Sequence, residues 1–134
     1  MIYIIDASAM IAYLRGEPGG QLVRDVLGNT ANQCFAHAIN LCEVYYEFHR
    51  AEGEAVAGEA MRDLQAAGIA RREDIAPSFC QAAGTLKAVR RRISLADCFA
   101  VALAKTLSGT LLTSDHHEFD PLVASGDCAI AFIR

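Results

Sequence analysis

The sequence predicts an α/β fold, a three-layer α/β/α sandwich with a central, mainly parallel sheet. Short apolar segments, several of them β-branched, alternate with longer segments of helical composition. Strands that are joined through helices usually run in the same direction, so helices are expected on both faces of the sheet. The chain has 134 residues, of which 53% are hydrophobic, and no linker rich in Pro, Ser or Gly divides it. We therefore expect a single domain over residues 1–134.

The N-terminal part is predicted to contain two strands and two helices. Ile2–Ile5 is short, apolar and mostly β-branched, which is typical of a buried strand. Residues 7–14 have helical composition, and a glycine-containing segment at 16–20 separates them from a second helix over 21–27. Gln33–His37 is a plausible second strand.

Two further helices and a third strand are expected in the middle of the chain. Residues 39–51 place apolar or aromatic side chains three or four positions apart, which is the pattern of a helix that packs on a core. Residues 54–67 indicate another helix, which Gly68 ends. Ile69–Arg72 is a weaker strand candidate.

The C-terminal part repeats the alternation of helices and strands. Pro77 suits the first turn of a helix that runs to about Arg92. Ser94 is positioned to cap a strongly apolar helix, Leu95–Leu107. A strand over Thr110–Thr113, a short helix from about His117 and a last strand over 128–133 complete the prediction.

Composition excludes several classes of protein. The five cysteines are odd in number and contain no CxxC pair, so neither a disulfide framework nor a zinc site is expected. The N-terminal MIYIID lacks the basic segment of a signal peptide, and the apolar runs are too short to span a bilayer. We expect a cytoplasmic protein.

Four acidic residues occupy positions from which they could share one site. Asp6 follows the first strand, and Asp115 follows the strand Thr110–Thr113. Asp97 lies in the first turn of its helix and Glu43 in the second turn of another. In open α/β sheets, ligands bind beyond the carboxyl ends of the strands, where helices also begin. Clustered carboxylates without His or Cys suit Mg²⁺ or Mn²⁺, which suggests phosphodiester chemistry.

Each acid also has a purely structural interpretation. Glu43 could lie on a solvated helix face, and the other three stand where helix caps are expected: Asp6 with Ser8, Asp97 three residues after Ser94, and Asp115 three residues before Glu118. Spacing alone does not decide between these interpretations.

Four segments occur in an order that resembles a known family. They are IYIIDASAMIAYL, LCEVYYEF, SLADCFAVALAKTLSGTLLTSD and HEFDPL. This order resembles that of the PIN-domain ribonucleases and, within them, the VapC-type toxins of bacterial type II toxin–antitoxin pairs. The resemblance extends over the whole chain.

The resemblance implies a PIN-like sandwich and a metal-dependent endoribonuclease that cleaves RNA phosphodiester bonds with a metal-activated water. It implies that Asp6, Glu43, Asp97 and Asp115 bind Mg²⁺ or Mn²⁺ and are the catalytic residues. Ser8 and Thr113 would steady the ligand oxygens, and Asp120 matches a more variable acid in a supporting role. The implied partners are the RNA substrate, a cognate antitoxin that covers the acidic cleft and a second copy in a homodimer, and no membrane partner is implied.

The charge distribution leaves the mode of RNA binding open. The net charge is −4, but without the four proposed ligands the remaining 12 acids equal the 12 lysines and arginines in number. Lys87, Arg90, Arg91 and Arg92 lie together just before the Asp97 helix. They could hold an RNA backbone, or they could lie at a solvated helix end where cations meet the negative end of the dipole.

Two other classes of acidic α/β protein fit the sequence less well than the nuclease. A phosphoacceptor receiver needs an Asp after a middle strand, yet no Asp lies between Asp25 and Asp63. A haloacid-dehalogenase-type phosphatase needs Asp-x-Asp, whereas Asp6 is followed two places on by Ser8. A PIN-domain RNA-processing nuclease outside a toxin system and a non-catalytic PIN-like binding module remain alternatives.

Overall fold

The computed structural model describes Met1–Arg134 and contains one sheet of five strands with seven helices around it. Along the chain the elements are β1 (Ile2–Ile5), α1 (Ala7–Arg15), α2 (Gly20–Gly28), β2 (Gln33–His37), α3 (Ala38–Glu52), α4 (Glu54–Ala66), β3 (Ile69–Arg72), α5 (Pro77–Val89), α6 (Leu95–Leu107), β4 (Thr110–Thr113), α7 (His116–Ser125) and β5 (Ala129–Phe132). Every predicted strand and helix is therefore present.

The sheet is parallel throughout, with the strand order β3-β2-β1-β4-β5. The chain builds β1, β2 and β3 toward one edge and then returns to place β4 beside β1. Open α/β sheets form a crevice where the strand order reverses, and in this sheet that position lies between β1 and β4. The predicted α/β fold is confirmed.

Helices cover both faces of the sheet in two groups. Successive residues of a strand point to opposite faces, and Ile4 and Ile5 accordingly belong to different cores. Ile5 packs with residues of α1, α2, α3 and α4, whereas Ile4 packs with residues of α5, α6 and α7. No helix of the fold combines the length and the apolar character that are needed to cross a bilayer. The single-domain organisation over residues 1–134 stays a prediction.

Some element ends differ from the prediction, and α5 differs most. It ends at Val89, because Arg90 leaves the helical region with φ −110° and ψ 70°. The Ile93 N–H then donates to the Arg90 carbonyl at 3.0 Å, which closes a turn with Arg91 and Arg92 at its tip. Ile93 is buried and anchors this turn to the core.

Candidate metal centre

The carboxyl ends of β1 and β4 place Asp6 at the centre of the crevice. The Asp6 N–H continues the pairing of the two strands by donating to the Leu112 carbonyl at 3.1 Å. Asp6 also caps α1, because its Oδ1 accepts from the Ala9 N–H at 2.9 Å. Its side chain is almost fully buried, with 1% exposure. A carboxylate in this position fits a helix cap, but complete burial exceeds what a cap requires.

Ser8 and Thr113 connect the loop after β1 to the loop after β4. The Ser8 hydroxyl donates to Asp6 Oδ1 at 2.8 Å and accepts from the Ser114 N–H at 3.0 Å. Its oxygen lies 3.3 Å from Thr113 Oγ1, which accepts from the Asp115 N–H at 3.0 Å. These hydrogen bonds fix the backbone of Asp115 relative to the carboxylate of Asp6.

A tight carboxylate group forms where α6 and α7 begin. Asp97, Asp115 and Glu118 each offer an oxygen, and these three oxygens lie within 4.8 Å of one another. Asp115 caps α7 by accepting from the Glu118 N–H at 3.0 Å, and Glu118 Oε2 accepts from the Ser94 N–H at 3.1 Å. Ser94 in turn caps α6 by accepting from the Asp97 N–H at 3.2 Å. We call these three residues the carboxylate triad.

Asp6 and Glu43 lie outside the triad but belong to the same electrostatic cluster. Burial raises the pKa of Asp6 to about 6, although hydrogen bonds from Thr113, Ala9 and Ser8 favour its charged form. Burial also raises the pKa of Glu43, and the charges of Asp6 and Glu118 raise it further. The four predicted ligands are thus placed around one crevice, and Asp97 and Asp115 belong to the carboxylate triad.

Burial and neighbouring acids together oppose the ionisation of Asp97. Burial is the largest cause that raises its pKa, followed by the hydrogen bond with Glu118 and by the charges of Asp6 and Glu118. A carboxylate whose ionisation is opposed in this way is stabilised by a nearby cation. The donor set consists of carboxylate oxygens, which suit Mg²⁺ or Mn²⁺ and not a soft metal. The chemistry of the residues therefore fits a hard divalent ion.

From the sequence, Glu118 is predicted only as the capping partner of Asp115, and the structure adds it to the acids of the site. A signal for it was present, because residues three apart in a helix lie on the same side. An acid three residues after Asp115 at a helix start is therefore directed toward the same region as Asp115.

Asp120 takes a different position from the other predicted acids. Its carboxylate is exposed and lies 2.9 Å from Nδ1 of His116, one helical turn earlier in α7. The His116 Nε2–H donates to the Arg134 carbonyl at 2.8 Å, and the imidazole stacks on Phe132. His116 therefore holds the start of α7 against the C-terminal residues, and Asp120 pairs with His116 and is not part of the triad.

The predicted basic cluster divides into two pairs. Lys87 Nζ donates to the Arg91 carbonyl at 2.7 Å, and Arg90 lies 3.8 Å from the carboxylate of Asp127. Arg91 and Arg92 are exposed at the tip of the turn and form no ion pair. This turn leads directly into Ser94, whose backbone N–H contacts Glu118 of the triad.

The parallel sheet and the acids collected beyond β1 and β4 define an α/β protein with a cluster of carboxylates at the carboxyl end of its sheet. The family model of the PIN domain matches residues 3–121, and the chain belongs to this family. This finding confirms the predicted PIN-domain membership. A comparison with curated proteins found no match.

Solved structures support the same fold. The chain is similar to VapBC2 from Rickettsia felis, bound there to a promoter DNA fragment, with a TM-score of 0.75, 14% identity and coverage of 98% of each chain. It is also similar to VapBC-1 from nontypeable Haemophilus influenzae, with a TM-score of 0.71, 20% identity and coverage of 99% of this chain and 98% of that one. A third similar structure is VapC20 of Mycobacterium tuberculosis, a toxin that cleaves the sarcin–ricin loop, with a TM-score of 0.69, 15% identity and coverage of 89% and 94%.

Proposed function

We propose that this protein is a metal-dependent endoribonuclease and the toxin of a type II toxin–antitoxin pair. The observation that carries the proposal is the convergence of Asp97, Asp115 and Glu118 within 4.8 Å beside the buried Asp6, in a chain of the PIN-domain family. Phosphodiester cleavage requires stabilisation of negative charge at phosphorus, which a carboxylate-bound divalent cation provides.

The proposed ligands of Mg²⁺ or Mn²⁺ are Asp6, Glu43, Asp97 and Asp115. When bound, the cation activates the attacking water and stabilises the charge that develops on the phosphate. Ser8 fixes one oxygen of Asp6 at 2.8 Å, and Thr113 holds the Asp115 backbone at 3.0 Å, so both reduce the freedom of the proposed ligands. Asp6, which is almost fully buried, and Asp97, which belongs to the carboxylate triad, are the proposed most direct ligands and should be the most sensitive to substitution.

Within the basic cluster, Arg91 and Arg92 are the proposed contacts to the RNA backbone. They have no competing acid, whereas Lys87 is engaged with a carbonyl and Arg90 faces Asp127. The turn that carries them is connected to the triad through Ser94 and Glu118 at 3.1 Å. A guanidinium placed there would hold a phosphate close to the reacting one.

An antitoxin and a second copy of the chain are the proposed protein partners. VapBC2 of Rickettsia felis and VapBC-1 of Haemophilus influenzae match nearly the full length of this chain, which supports an antitoxin as the partner. We expect the gene of this protein to have a small neighbouring reading frame that encodes a DNA-binding protein. Expressed together, the two proteins should purify as a complex. An RNA-processing nuclease outside a toxin system would instead be isolated without such a partner.

Cleavage of RNA tests the proposed activity. Purified protein is incubated with total bacterial RNA in Mn²⁺ or Mg²⁺, with and without EDTA, and the new ends are mapped. We expect cleavage that EDTA and Asp97→Asn abolish, while Asp63→Asn, a change at an exposed acid of α4, retains it. An absence of new ends across all RNA classes, with no binding of divalent metal, would favour a non-catalytic binding module.

A further inference from the structure

The amide side chain of Asn40 connects two helices that carry different proposed ligands. Asn40 lies in the first turn of α3 and is completely buried. Its Nδ2 donates to the carbonyl of Ala96 at 3.1 Å, and Ala96 directly precedes Asp97 in α6. We infer that Asn40 is a positioning residue that sets the distance between Glu43 and Asp97, an inference that rests on the proposed metal centre.

The position of α3 explains why one side chain can join the two layers. The core contacts of α3 lie on the face of β1 to which Ile5 points, whereas those of α6 lie on the opposite face. The helix α3 begins immediately after β2, and α6 ends just before the parallel strand β4 begins, so both helix starts lie at the carboxyl end of the sheet. Asn40 contacts Ala96 there, and Glu43, three residues later, lies on the same side of α3.

The orientation of the amide is fixed by its neighbours. Its nitrogen must face the Ala96 carbonyl, because an amide oxygen in that position would repel another oxygen. The Ala96 carbonyl lies within α6 and also has an intrahelical partner, the N–H four residues later. Losing the Asn40 donor would therefore not leave that carbonyl unpaired.

A role in stability alone does not account for Asn40. Its Oδ1 is buried and accepts no hydrogen bond from another group of the protein, which costs free energy that a leucine of similar shape would not incur. A positioning role does account for the amide, because a directional hydrogen bond fixes the register of two helices more narrowly than apolar contact does.

Two substitutions separate positioning from stability. Asn40→Leu fills the same space without polar atoms, so its unfolding temperature should equal or exceed that of the wild type. Asn40→Ala leaves a cavity and should unfold at a lower temperature. Both remove the bond to Ala96, and both should weaken Mn²⁺ binding about tenfold in calorimetry and lower kcat for RNA cleavage, while KM changes little.

A control variant removes a side-chain hydrogen bond that lies within α6. Thr106 Oγ1 donates to the Ala102 carbonyl at 2.8 Å, far along the helix from Asp97, so Thr106→Val should leave Mn²⁺ affinity within twofold of wild type. If Mn²⁺ affinity follows stability instead, so that Asn40→Leu binds as tightly as wild type and only Asn40→Ala is impaired, the positioning role is wrong. A wild-type protein that itself binds no Mn²⁺ would refute the metal centre, which is a separate result.

Discussion

Replacing Asp6 by asparagine separates the stability of the fold from the chemistry of the centre. Asparagine caps a helix as well as aspartate does, so the contact with the Ala9 N–H can be kept while the buried charge is lost. Burial raises the pKa of Asp6 from 3.8 to about 6. Between these values the folded protein binds more protons than the unfolded chain, so the free energy of unfolding falls as pH rises.

The size of this effect follows from the pKa difference. A shift of about two units corresponds to roughly 3 kcal/mol of destabilisation once both states are ionised, and to about half of that at pH 5. In EDTA at pH 8, the free energy of unfolding of Asp6→Asn should therefore be up to about 3 kcal/mol higher than that of the wild type. Saturating Mn²⁺ should stabilise the wild type but not the variant, because a ligand stabilises only the state that binds it.

Urea denaturation of both proteins at pH 5 and pH 8, with EDTA or Mn²⁺, measures these differences. Asp63→Asn, which removes an exposed carboxylate, should show no pH-dependent change relative to wild type. If Asp6→Asn were less stable than wild type by the same amount at both pH values, the carboxylate would serve the fold and the reasoning would be refuted.

Three further changes test other parts of the structure. Glu118→Gln keeps an oxygen for the contact at the start of α6 but removes a charge from the triad, so Mn²⁺ affinity should fall about tenfold in calorimetry without a loss of unfolding temperature. Replacing Arg91 and Arg92 together by alanine should weaken binding of a non-cleavable RNA, and the salt dependence of that binding should fall by nearly two counterions. The control Arg62→Ala, at an exposed arginine of α4, should change neither quantity. An unchanged salt slope in the double variant would exclude the RNA contact. Leu103→Ala creates a cavity beside the fully buried face of α6, so the free energy of unfolding in urea should fall by about 2–5 kcal/mol while Mn²⁺ affinity is unchanged. A large loss of affinity would show that the centre depends on global packing.

Local patterns sufficed to place the strands and helices, because the strands are apolar and the helix ends carry strong signals. Asp6 and Ser94 both cap helices as their spacing indicated. The end of α5 was less predictable, since the turn at Arg90 depends on burial of Ile93, which is a tertiary contact. Composition alone cannot indicate that three more apparently helical residues form a turn.

The site was predictable only in part for the same reason. The positions of Asp6 and Asp115 at strand ends indicated a shared crevice, but the adjacency of β1 and β4 follows from the path of the whole chain. The contact of Asn40 with Ala96 joins residues 56 positions apart and has no local signature. Lys87 and Arg90 have partners in the structure, whereas Arg91 and Arg92 form no ion pair. This difference also depends on contacts that only the folded chain supplies.

Titration of the metal-free protein with Mn²⁺ in a calorimeter tests the central claim most directly. We expect saturable binding of Mn²⁺ that Asp97→Asn weakens at least tenfold and Asp63→Asn leaves unchanged. Binding should release protons, because the raised pKa of Asp97 favours its protonated form when no cation is bound. Wild-type protein that gives no binding heat and no rise in unfolding temperature with Mn²⁺ would contradict the claim that these carboxylates form a metal centre.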